Sequence, residues 1–180
     1  EFFKTVRPID NVQAVVFKKS DPLAIKERGL HVERFKSSSP DELNAFFKQA
    51  YDEGMTGKTY LHEAILAGLD LIQKMPADEQ KFMIVFSDGE DLNSDYETDQ
   101  IEIETFGIKN FSVFCVDYMP QPKLDEFLST FSQEHGGRIW KAKSAAEILP
   151  IFEEFTSTLM FRYIITYNLP DPLALQPAEL

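Results

Sequence analysis

The sequence predicts an α/β domain with a doubly wound, mostly parallel central sheet and helices on both faces. Three observations carry this. Short β-branched or aromatic runs alternate with segments whose apolar residues recur at three and four positions, the pattern of βα units. Two runs, Phe82 to Phe86 and Phe111 to Val116, are almost continuously apolar, as strands covered on both faces are. The chain of 180 residues, 43% of them hydrophobic, is long enough to bury one substantial core.

Taken in order, Val12 to Phe17 reads as a buried strand closed by Lys18, Lys19, Ser20, Asp21 and Pro22. A second strand is expected at His31 to Phe35. The loop Ser37-Ser38-Ser39-Pro40 leads into a helix from Asp41 with Leu43, Phe46, Phe47 and Ala50 on one stripe. Gly54 and Gly57 mark a loop. From Tyr60 to about Met75, Leu61, Ala64, Ile65, Gly68, Leu69 and Ile72 trace a second helix. The strand Phe82 to Phe86 ends at Ser87-Asp88-Gly89, and a polar loop with a helix near Gln100 to Phe106 leads to the strand Phe111 to Val116. Pro122 opens a helix carrying Leu124, Phe127, Leu128 and Phe131, which Gly136-Gly137 stops. A short strand near Ile139-Trp140, a helix from about Ala145 to Leu159 and a last strand from Arg162 to Tyr167 complete the series. Residues 1–168 form the domain; 169–180, proline-rich and without periodicity, read as a linker.

A formal net charge of -12 and a pI near 4.7 argue against nucleic acid as a partner, because phosphates would be repelled. No apolar run approaches the length of a membrane span. The single cysteine, Cys115, lies in an apolar strand and excludes an intrachain disulfide. The three histidines, His31, His62 and His135, show no spacing for zinc, and His62 reads as a surface residue of a first helical turn. No nucleophile elbow or dinucleotide fingerprint occurs. Gly57-Lys58-Thr59 imitates the end of a phosphate-binding loop, but the earlier glycine that loop needs would fall at Asp52.

Two motifs and their order resemble the von Willebrand factor A domain family, in its bacterial, extracytoplasmic form. Thr56-Gly57-Lys58-Thr59-Tyr60-Leu61-His62-Glu63-Ala64 is similar to the family's Gly-Thr-x-Leu-x-x-Ala segment, and Ile84-Val85-Phe86-Ser87-Asp88-Gly89 to its fourth strand. The strand ending before Asp117 and the Gly136-Gly137 turn follow in the family's order, and the exit strand before Asn168-Leu169-Pro170 resembles extracytoplasmic members, which favours a periplasmic or extracellular location. The resemblance implies a cation-dependent adhesion site at the top of the sheet. There Mg²⁺, or Mn²⁺ or Ca²⁺, would be held by Thr59 and Asp88 and would capture an acidic side chain of a protein partner, with no catalysis. Hydroxyl, carboxylate and water oxygens are the donors such an ion takes.

The family's Asp-x-Ser-x-Ser motif is absent, and Glu1 to Val6 look like the end of its first helix. A missing N-terminal segment or a second chain is therefore expected to complete the sheet. Glu90, Asp91, Asn93 and Asp95 form an acidic loop beside the site as a possible secondary cation site. Asp91, Asn93, Asp95, Glu97, Asp99 and Glu102 also match EF-hand spacing, but Tyr96 occupies the position that needs glycine. Thr59 has a second reading as a helix N-cap, and Asp88 as a cap of its loop. Two other functions fit the same residues: a scaffold domain with a degenerate site in an envelope or secretion assembly, and an accessory subunit of an ATP-driven complex.

Overall fold

A computed structural model describes residues 10–17, 32–52, 59–87, 91, 94–120 and 122–160. The fold is mixed α/β, with a three-stranded parallel sheet and five helices among the described residues. The order is β1 (Gln13–Phe17), β2 (Val32–Lys36), α1 (Pro40–Asp52), α2 (Leu61–Gln73), β3 (Lys81–Ser87), α3 (Thr98–Thr105), β4 (Phe111–Tyr118), α4 (Pro122–Glu134), β5 (Arg138–Ala142) and α5 (Ala145–Met160). The strand expected at Arg162 to Tyr167 and the linker 169–180 lie outside the described residues.

β3, β4 and β5 pair in parallel in that order, with Lys81 opposite Phe111 and Phe114 opposite Arg138. Alternation along β4 divides the core into two layers. Val113 and Cys115 join Leu61, Ile65, Leu69 and Ile72 of α2, Ile101 of α3, and Leu128 and Phe131 of α4. Phe114 and Val116 point the other way, into a cluster with Trp140 and Ala142 of β5 and Ile151 and Phe155 of α5. β4 is therefore covered on both faces, which explains its unbroken apolar sequence. Gly137 is required where β5 meets β4: a Cβ there would lie 1.6 Å from the Val113 carbonyl oxygen.

The expected single sheet is instead two sheets among the described residues. β1 and β2 form an antiparallel pair, Gln13 opposite Lys36 and Phe17 opposite Val32. A parallel pair needs a crossover, usually helical, and no helical periodicity occurs between Phe17 and Val32. A small cluster of Ala14, Leu43 and Phe46 joins this pair to α1, with the Phe35 and Phe46 rings stacked at 4.7 Å. α2 links the two sheets: it packs against β1 and β2 as well as β3, and its Asp70 accepts a hydrogen bond from Arg34 of β2 at 3.1 Å.

Candidate functional site

The chain path brings the start of α2 to the carboxyl ends of the parallel strands. The connection that follows α2 is held at their amino ends, where Asn110 donates through Nδ2 to the Ala77 carbonyl at 3.1 Å and the Lys81 N–H donates to the Asn110 carbonyl at 2.7 Å. Thr59, half-buried, and Tyr60, buried, therefore precede the helix at the same end as Ser87 and Asp117. Those two residues sit side by side across β3 and β4, with relative exposures of 2% and 0%. A carboxylate in such a place is expensive unless positive charge or hydrogen-bond donors meet it.

Burial, and after it the Asp117 charge, push the Cys115 thiol up to about 12. The thiol is protonated at neutral pH and is no nucleophile there.

The acidic loop performs a structural task that its composition conceals. α2 begins at Leu61 with Tyr60 at its cap position, and no side chain of that residue caps it. Asp91, which follows β3, does so from a distance: its Oδ1 accepts the His62 backbone N–H at 3.0 Å and the Ser94 hydroxyl at 2.7 Å. Ser94 Oγ in turn accepts the Glu63 N–H at 3.2 Å, and the Asp95 N–H donates to Glu63 Oε1 at 3.4 Å. Two otherwise orphaned donors of the first helical turn are thereby satisfied, and a carboxylate faces the positive end of the helix.

His62 is not the surface residue that its position suggested. Its side chain is 13% exposed, its Nδ1–H donates to the Tyr96 carbonyl at 2.7 Å, and its ring meets Phe127 of α4 edge-on at 5.2 Å. That bond leaves the acceptor lone pair of the neutral ring on Nε2. His135 lies at the opposite end of the strands, and His31 is outside the described residues.

Of the residues singled out from sequence, the structure brings Thr59, Asp91 and Asp95 to this end of the sheet, while Asp88, Glu90 and Asn93 lie outside the described residues. Thr59 is not the N-cap, because that position belongs to Tyr60. Three of the positions with EF-hand spacing belong to α3 or its cap. Glu97 forms a reciprocal capping box with Gln100, whose Oε1 accepts the Glu97 N–H at 2.8 Å, and Asp99 and Glu102 are on the helix itself.

Ser87, Asp117, fully buried Glu63 and Ser94 were not among the predicted site residues. Only Asp117 carried a signal, as a charge ending an apolar strand. Thr59, Ser87 and Asp117 are all hard oxygen donors of the kind that suits a dication. Among the described residues, no group of three or more His, Cys, Asp or Glu side chains is placed to hold a metal ion. No helix among them is long and apolar enough to cross a membrane. No protein-family model matches the chain, and no curated protein matches it.

Proposed function

We propose that this chain is a non-enzymatic protein-binding module of the von Willebrand factor A type, with a doubly wound sheet. A divalent cation at the carboxyl ends of its parallel strands would capture an acidic side chain of a protein partner. Thr59 and Asp88 are the proposed protein ligands, and the ion is Mg²⁺, with Mn²⁺ or Ca²⁺ as substitutes.

The observation that carries this reading is that Thr59, just before α2, lies at the same end of the sheet as the strand ends that bear Ser87 and Asp117. Ligands of open parallel sheets bind at that end. When bound, the ion supplies an open coordination position for a partner's carboxylate; the chain's own residues hold and orient it. Asp91 and Ser94 keep the start of α2, and with it Thr59, in a fixed position.

The sheet itself supports a second part of the proposal. A helix is about 10 Å wide and neighbouring strands lie ~4.8 Å apart. α2 packs against both β1 and β3, which among the described residues do not pair with each other. We propose that an N-terminal segment or a second chain supplies a strand between them, joining both sheets into one.

Calorimetric titration of Mg²⁺, Mn²⁺ and Ca²⁺ into chelator-treated protein, beside an Asp88→Ala variant, tests the cation site. Saturable binding lost in the variant is the expected result. No binding, or binding untouched by the variant, overturns it and favours a scaffold domain, a reading that the engagement of Asp91 and Ser94 in capping also suits.

A further inference from the structure

The end of the molecule opposite the proposed cation site carries an apolar surface that the core does not explain. The α3 sequence alternates as Ile101-Glu102-Ile103-Glu104, a pattern with the period of a strand on a residue run that folds as a helix. Ile101 is consequently fully buried while Ile103 is 72% exposed. Phe106, one turn further along the same side, is 92% exposed. Gly107, at a φ of +81° with nothing within 4 Å of where a Cβ would stand, turns the chain so that this ring stays in solvent. The turn is secured by the Phe106 N–H on the Ile103 carbonyl and the Ile108 N–H on the Thr105 carbonyl, both at 3.2 Å.

Beside Phe106 is an open depression of about 420 Å³ between the ends of α3 and α4, with Ile108 in its lining and Glu102 and Glu134 on its walls. His135 also lines it and is held between the Phe111 and Phe131 rings at 5.4 and 5.1 Å. Burial outweighs the Glu134 charge and keeps His135 below its ordinary 6.5, so at pH 7 it stays neutral and does not offset the two carboxylates. Asp99 lies one turn before Ile103 on the same side of α3. The nearest basic residue in sequence is Lys109, past the turn.

We propose that Ile103, Phe106 and the acidic depression beside them form a docking surface for a basic, amphipathic segment of a partner protein, one that sets a large apolar side chain on Phe106 and Lys or Arg against Glu102 and Glu134. The charge decides between occupants. A second copy of this chain, itself at -12, would bring like charge to an acidic rim, whereas a basic segment is drawn to it from a distance. Because the surface lies at the amino ends of the strands, it is independent of the cation site.

The test uses a short fluorescent peptide of leucine and lysine at helical spacing and its counterpart with glutamate in place of lysine, titrated with the full chain by anisotropy at low and high salt. The lysine peptide is expected to bind, more weakly at high salt, and the glutamate peptide not to bind. Phe106→Ser with Ile103→Ser should weaken binding by roughly tenfold or more, and Glu102→Lys with Glu134→Lys should do the same. All four side chains lie outside the core, and unchanged thermal melting would verify that the variants fold. Binding equal in wild type and both double variants overturns the proposal, since it would be attraction to net charge alone. A concentration-dependent dimer abolished by Phe106→Ser also overturns it, in favour of self-association.

Discussion

At the scale of single residues, Asp91 shows how a position can be prominent in sequence for one reason and matter in the fold for another. The acidic run is visible at once, but its contact with α2 spans 29 residues of chain and depends on where two loops meet. Local pattern assigns the cap to Thr59, just before the helix, and the structure uses a carboxylate from the far side of β3. We expect Asp91→Ala to destabilise the fold by about 1–2 kcal/mol, the cost of a lost helix cap, and to lower Tm by roughly 3–8 °C. The loss should be the same with and without Mg²⁺ in a thermal melt. A variant destabilised only when Mg²⁺ is present would make Asp91 a metal ligand and not a cap.

At the scale of elements, strands and helices were legible wherever one periodicity dominated. β3 and β4 declared themselves by continuous apolar runs, and α1, α2, α4 and α5 by apolar residues three and four apart. α3 was harder to read because its outward Ile103 weakens the helical stripe, and its start was set by the Glu97–Gln100 box, not by apolar spacing. The antiparallel pairing of β1 with β2 was not legible, since partner choice depends on which edges are available. β5 and α5 are joined by a cluster that no spacing rule reveals: Trp140 Nε1–H donates to Glu154 Oε2 at 2.9 Å, Arg138 pairs with Glu154, and its guanidinium lies 4.3 Å from the Trp140 ring centre. The Trp140 hydrogen bond, and then Arg138, hold the Glu154 carboxyl below its usual range. As pH falls, these contacts should persist through the ordinary carboxylate range and be lost only below it. Trp140 is the sole tryptophan, so its fluorescence reports the event. We expect emission to stay level through that range, to change below it, and to lose the change in Glu154→Gln. A transition at ordinary carboxylate pH, or one that survives the substitution, would contradict this account.

For the molecule as a whole, the two sheets imply two levels of stability. The larger core is continuous through α2, β3, α3, β4 and α4, whereas among the described residues β1, β2 and α1 share the small cluster around Ala14, Leu43 and Phe46. What ties the second group to the first is α2, chiefly its packing on β1 and the bond from Arg34 to Asp70, whose side chain is 8% exposed and also meets Lys74 at 2.9 Å. Fewer buried apolar contacts mean a lower free energy of local opening, so β1 and β2 amides should exchange with deuterium before those of β3, β4 and β5. Replacing Asp70 with alanine leaves a guanidinium and an ammonium that can both turn toward water, which limits the cost to on the order of 1–3 kcal/mol. That cost should fall on the coupling: exchange at Val15, Val16 and Arg34 should accelerate in Asp70→Ala while Val113, Cys115 and Val116 keep their protection. If both sets accelerate together, the sheets unfold as one unit and α2 is no mere bridge between them. If neither does, the Arg34–Asp70 bond contributes nothing and the helix is held to β1 by apolar packing alone.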